Sequence, residues 1–219
     1  MLDPGDLPVG AVPARQAGAR RAGAPAAPLA GAKPPPPYSP AERAELAAIA
    51  AAQRDPARRR SALALVVFGI GAGLRPGELA ALRGSDVSRR GRRVAVRAGG
   101  PAARVVPVTS AYAGRAAALA AAAGDAHLFR PGPADRGYRN FVTNFARTLT
   151  ADPAAPRLTL SRCRSSFICG HLAAGTPAGE LLAITGIRRA ESLARYARHV
   201  DGAPSKAALR AWDRRHQAC

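Results

Sequence analysis

Arg164 sits where a cation is out of place. At helical spacing Leu160, Arg164, Ile168 and Leu172 stack on one stripe, with Cys163 and Phe167 beside them, so a guanidinium projects from an apolar face. Such a group requires an anion. Its planar fork fits a carboxylate satisfied in the core and fits equally the oxygens of a ligand phosphate. The stripe by itself favours the carboxylate. The chain beyond it is punctuated twice: Gly175-Thr176-Pro177 ends one helix and caps the next, and Gly186 ends that one before a last helix carrying Tyr196. Three short helices would therefore present Arg164, Ile187 and Tyr196.

The elements that must position these residues begin at Ser39-Pro40-Ala41-Glu42, a capping box with proline at the first helical position, opening a helix to about Gln53. A second helix from about Ala57 runs through the apolar stretch Ala62 to Leu74. Its GIGAGL segment is not a dinucleotide fingerprint, because the glycines at 69, 71 and 73 lack the required spacing and open no helix after a strand. Short strands are expected around Val87, Val94 to Arg97 and Arg104 to Val108, the last two joined by a glycine-rich turn. Helices at about Ala111 to Ala123 and Tyr138 to Leu149 then lead to the Arg164 region.

Four motifs in order resemble the catalytic domain of the tyrosine recombinase (phage integrase) family over residues 39–202. In that family an H-x-x-R helix leads to L-G-H and then, nine residues after its histidine, to a nucleophilic tyrosine. Here Arg164 stands at the arginine and Gly186 at the glycine, and Tyr196 follows Ile187 by nine residues. The T-G-L-R-x-x-E-L signature is matched from Gly73 to Leu79, with Arg75 as its arginine and Glu78 as its acid. Ser85-Asp86-Val87 and Arg104 to Val108 resemble the family's strand start and R-x-V-P-L hairpin return.

The resemblance implies a mainly α fold with a small antiparallel β-sheet (α+β), and no metal or cofactor. It implies that Tyr196 attacks a phosphodiester of double-stranded DNA to give a 3′-phosphotyrosine. Arg75 and Arg164 would bind the non-bridging oxygens, a role that planar, permanently charged groups suit. Arg97, Arg104, Arg162, Arg188 and Arg195 are further candidate DNA contacts.

Three family groups are missing. The hairpin lysine, the general acid for the leaving 5′-oxygen, falls near Gly99; the H-x-x-R histidine is Ser161; the L-G-H histidine is Ile187. Ser161 can donate one hydrogen bond to phosphate and Ile187 none. Arg97 or Arg104 could approach the leaving oxygen, but a guanidinium with a pKa above about 12 is a poor proton donor. His171 lies two turns, about 10 Å, from Arg164. His199, one turn after Tyr196, is the remaining substitute. Each positioned acid–base group is worth about 10² to 10⁴ in rate, so these losses could remove turnover while leaving phosphate binding intact.

Composition agrees with a nucleic-acid partner. The chain has 219 residues with 33 Lys+Arg against 14 Asp+Glu, net +19. Residues 1–38 hold only four of the bases with two acids, and nine of the 20 prolines, and are expected to form a disordered tail. No segment combines a basic helix with an aromatic apolar face, which speaks against a membrane surface. Three cysteines (163, 169, 219) fit no disulfide framework or zinc spacing, and the acidic, proline-containing start has no apolar signal region, so a cytoplasmic location is expected. Residues 203–219 would form a basic tail helix with Leu209 and Trp212 on one side. In the family such a tail docks on a neighbouring protomer; packing on its own domain is the alternative.

Three readings follow: a DNA-binding protein with a degenerate recombinase domain and weak or lost strand transfer; an active recombinase or integrase with altered acid–base residues; and a basic structural or RNA-binding protein.

Overall fold

From Ser61 to Gly71 every residue but Leu63 is buried, so the helix carrying them is apolar all round and the rest of the domain packs about it. This is α2 (Pro56–Gly71). The computed structural model describes residues 33–130, 140–149 and 152–200. The chain divides into two units, Met1–Ala32 and Lys33–Cys219, and the description concerns the second.

Around α2 come α1 (Pro40–Ala51), α3 (Pro76–Ala81), strands β1 (Val87–Arg90), β2 (Arg93–Ala98) and β3 (Arg104–Pro107), then α4 (Ser110–Ala123), α5 (Phe141–Arg147), α6 (Leu160–Ala173), α7 (Ala178–Thr185) and α8 (Ala190–Ala194). Helices α1, α4 and α6 pack directly on α2. The strands form an antiparallel meander in the order β1-β2-β3, with Val96 opposite Val106 and Ala98 opposite Arg104. Val94, Val96, Ala98 and Val106 are buried while Arg93, Arg97, Val105 and Pro107 are exposed, the alternation of a sheet with one wet face. The domain is therefore mainly helical with a small antiparallel sheet, as expected.

Local signals account for the boundaries. The Ser39 hydroxyl accepts from the Glu42 amide at 3.1 Å and the Glu42 carboxylate accepts from the Ser39 amide at 2.8 Å, closing the capping box. The Asp55 carboxylate caps α2 through the Arg58 amide at 2.7 Å. Gly175 (φ 74°) and Gly186 (φ 64°) adopt the left-handed conformation that ends α6 and α7.

Two expectations are corrected. The tail does not extend to residue 38: Tyr38 is buried, its amide donates to the Ser166 hydroxyl at 2.8 Å, and its own hydroxyl donates to the Arg157 carbonyl at 2.6 Å. A buried tyrosine with three long-range hydrogen bonds, the third accepted by its hydroxyl from the Thr159 amide at 2.8 Å, outweighs the four prolines before it. Nor is Tyr196 carried on a helix. Helix α8 ends at Ala194, and Tyr196 lies in the tight turn leading to a 3-10 segment, Ala197–His199, because the backbone there bonds three residues back, Tyr196 to Leu193 at 2.9 Å. Tyr138, the 1–32 part of the expected tail, and the 203–219 helix with Leu209, Trp212 and Cys219 lie outside the described residues. Among the described residues no helix is long and apolar enough to cross a membrane.

Candidate active site

Three consecutive carbonyls at the C-terminal end of α7 each accept from a different arginine. Ile184 accepts from Arg104 Nε at 2.8 Å, Thr185 from Arg164 Nη2 at 2.6 Å, and Gly186 from Arg75 Nη2 at 3.0 Å. The last carbonyls of a helix have no partner within it and carry the negative end of its dipole, so they can gather cations without a carboxylate for each. Gly186 suits this position by its backbone, a φ of 64° that side chains rarely adopt, since a Cβ there would meet the Arg104 guanidinium only at an ordinary contact distance of 3.4 Å.

Arg164 reaches from α6, and its other nitrogen, Nη1, donates to the Gly73 carbonyl at 2.7 Å. Among the described residues its hydrogen-bond partners are thus two carbonyls, and the carboxylate favoured by the stripe alone is not among them. Burial, then the charge of Arg75, pushes its pKa down to about 10, with Tyr196 acting in the opposite direction. It remains a cation near neutral pH. Arg75 stands at the N-terminal cap of α3, turned inward by the break at Gly73.

Among the described residues the carboxylate in this cluster is Glu78. It accepts from Arg104 Nη1 at 2.6 Å, from Arg104 Nη2 at 3.2 Å and from the Arg75 amide at 2.8 Å, and the Glu78 and Arg104 side chains are only 9% and 8% exposed. Burial pushes the Glu78 carboxyl up, but the bonds from Arg104 and Arg75 together outweigh it and hold the carboxyl below the usual range. A depressed carboxyl stabilises the fold above its unfolded pKa and loses that contribution as pH falls through the folded value. Glu78→Gln should therefore cost about 3–5 kcal/mol near neutral pH by leaving Arg104 unpaired. The difference from wild type should shrink below about pH 4. Urea unfolding of both proteins across that range checks this.

Tyr196 completes the cluster. It lies close enough to Arg164 for each to shift the other's proton affinity; burial raises its pKa and Arg164 offsets only part of that, so the resting phenol is protonated. The Tyr196 carbonyl faces Cys169 Sγ at 3.8 Å. Burial pushes the Cys169 thiol to about 11 and the Cys163 thiol to about 12, so neither is a thiolate at neutral pH. Two guanidiniums with donors to spare, those of Arg75 and Arg164, can hold a phosphodiester against the Tyr196 oxygen, while the Glu78 carboxylate is taken up by Arg104.

Solved structures share the fold of this chain over most of its length. XerA recombinase shares 21% identity at a TM-score of 0.58, over 87% of this chain and 66% of its own. XerH site-specific recombinase, bound to its palindromic difH substrate in a post-cleavage complex, shares 12% at 0.61, over 83% and 54%. The fold is that of a tyrosine recombinase catalytic domain. The Tn1549 transposon integrase, in complex with transposon right end DNA, shares 16% at 0.53, over 84% and 66%. The chain thus spans between half and two thirds of the length of these proteins. No protein-family model and no curated protein matches it.

On this recombinase fold the structure brings Arg75, Arg104, Glu78 and Tyr196 around Arg164, with Arg195 close enough to act on Tyr196, and gives the other candidates different surroundings. Ser161 is exposed, its hydroxyl 3.5 Å from that of Thr159. Ile187 packs half-buried against the core. His199 Nε2 lies 3.1 Å from the Pro34 carbonyl. Arg162 is occupied: it pairs with Glu42 at 2.8 Å, bonds the Pro36 and Pro37 carbonyls, and stacks over the Tyr38 ring at 4.0 Å. Arg97, Arg188 and Arg195 are exposed. His171 sits with Nδ1 3.0 Å from the Thr176 hydroxyl and its ring against Phe167. The sequence reading missed the α7 carbonyls, which no residue type advertises, and the hairpin run Arg89-Arg90-Gly91-Arg92-Arg93, which charge alone could have flagged.

Proposed function

We propose that this protein binds duplex DNA through a phosphodiester seated on Arg75 and Arg164 beside Tyr196, with Arg104 held by Glu78 behind them, and that strand transfer through Tyr196 is slow or lost. The observation that carries the reading is the triple anchoring of arginines on carbonyls 184–186. A guanidinium has five N–H groups, and the anchors use one of those on Arg75 and two on Arg164, leaving donors for phosphate oxygens. The excess of positive charge over Glu78 favours the same ligand.

Catalysis is the weaker half. Attack by the Tyr196 oxygen on phosphorus requires loss of the phenolic proton, and expulsion of the 5′-oxygen requires its capture of one. The arginines stabilise charge building on the phosphoryl oxygens but do not give up protons near neutral pH. His199, engaged with the Pro34 carbonyl, would have to leave that bond to act.

The test is a labelled duplex followed by fluorescence anisotropy. Affinity should fall steeply as salt rises, and Arg75→Ala and Arg164→Ala should each weaken it. Affinity that is flat between low and physiological salt would sink the reading. An active recombinase is the second reading, favoured by the Arg75, Arg164 and Tyr196 set; rapid covalent adduct formation on an unmodified duplex would establish it. Structured RNA outcompeting duplex DNA would instead support an RNA-binding role.

A further inference from the structure

The outward face of the sheet carries arginines that no described residue neutralises. Arg90 at the end of β1 lies opposite Arg93 at the start of β2, Arg92 stands in the turn between them, and Arg97 continues the same face of β2 opposite Val105. All four are exposed. Among the described residues none of the four side chains has a carboxylate or hydrogen-bond partner; the ion pairs are Arg104 with Glu78 and Arg162 with Glu42. The hairpin end of this face holds a concavity of about 610 Å³ lined by Arg90, Arg92, Arg93, Ala95 and Val105.

This surface is distinct from the arginine–tyrosine cluster. Arg104 enters that cluster from the register position opposite Ala98, on the buried side of the sheet. Arg93 lies five residues back along β2, about 17 Å away at ~3.3 Å per residue, and Arg93 and Arg97 point to the opposite face. We propose that the outward sheet face is a second nucleic-acid backbone site, in which Arg90, Arg92, Arg93 and Arg97 hold phosphates away from the phosphodiester at Tyr196. The inference rests on the DNA-binding reading above and extends it.

The chemistry favours a phosphate backbone over the other polyanions. Four permanently charged forks on a pleated surface can each engage two phosphate oxygens, and Arg93 to Arg97, about 13 Å, spans roughly four base-pair steps of a duplex axis. Val105, 62% exposed, is the large aliphatic side chain on this face, too little apolar surface to anchor in a bilayer or to form the core of a protein interface.

The triple variant Arg90→Ala/Arg92→Ala/Arg93→Ala tests this in the full chain, with the corresponding lysine triple as a charge-retaining control. The replaced side chains are exposed, and thermal unfolding checks that the fold is kept. In anisotropy titrations between about 50 and 200 mM salt, the alanine triple should bind a labelled duplex about tenfold or more weakly. Its log–log salt slope should be shallower by about 0.9 for each phosphate that the variant no longer neutralises. The lysine triple should keep most of the slope. A wild type that binds duplex and an alanine triple with the same affinity and slope would overturn this inference and leave the first site standing. A wild type that binds no duplex would overturn both. An alanine triple that loses affinity for phosphatidylserine vesicles while its DNA slope is unchanged would overturn it in favour of a membrane surface.

Discussion

A duplex in which sulfur replaces the leaving 5′-oxygen should accumulate a covalent adduct with this protein, while the ordinary oxygen duplex gives none or forms it slowly. A thiolate departs without protonation, so the substitution removes the step for which the site is least equipped. The remaining requirements are release of the phenolic proton to solvent, a tyrosine oxygen at phosphorus and cations on the non-bridging oxygens, and the last two correspond to Tyr196, Arg75 and Arg164. Restoring the equivalent of one missing general acid should raise the rate by about 10² to 10⁴ over the oxygen substrate. Tyr196→Phe should abolish the adduct. A denaturing gel shift reads both, and equal rates on the two substrates would show that proton donation is not what limits the reaction.

Gly73→Ala should be disproportionately damaging for the addition of one methyl group. A Cβ at Gly73 would lie 2.6 Å from Phe167 Cδ1 and 2.9 Å from its Cγ, on a backbone of φ 59°. The left-handed conformation costs a side-chain-bearing residue about 1–2 kcal/mol. Overpacking adds about 1–3 kcal/mol. A loss of about 3 kcal/mol should lower the midpoint of thermal unfolding by roughly 10 °C in a domain of this size. Because the Gly73 carbonyl holds Arg164, DNA affinity should fall even at temperatures where the variant is folded. Phe167→Leu in the same chain would ease the contact but not the backbone strain, so only partial recovery is expected. Full tolerance of Gly73→Ala would show that the turn can relax away from Phe167.

Much of the architecture is visible in short windows of the sequence. The Ser39–Glu42 capping box, the all-apolar run of α2, the alternation Val94, Val96, Ala98 along β2, and the helix-ending glycines at 175 and 186 are local patterns, each deciding its own few residues. The resemblance to the tyrosine recombinase family, carried by Gly73 to Glu78 and by Arg164 through Gly186 to Tyr196, points to residues that the fold brings near Arg164. Where the local rule met a competing contact it failed: Tyr38 folds back on Ser166 although prolines precede it, and Tyr196 sits in a tight turn beyond α8.

Sequence by itself thus determined which elements form, that the surface is strongly basic, and that two arginines and a tyrosine were the side chains to watch. Only the tertiary structure decided what those side chains touch. Arg75 meets Gly186 across 111 positions, Arg164 meets Gly73 across 91, and Arg104 meets Glu78 across 26. It also decided that Arg162 and His199 are engaged with the Pro34–Pro37 segment. The physical reason is that the acceptors are mostly backbone carbonyls. Every residue has one, so no residue type marks it, and only the path of the chain determines which carbonyls are left unpaired at a helix end and which guanidiniums can reach them.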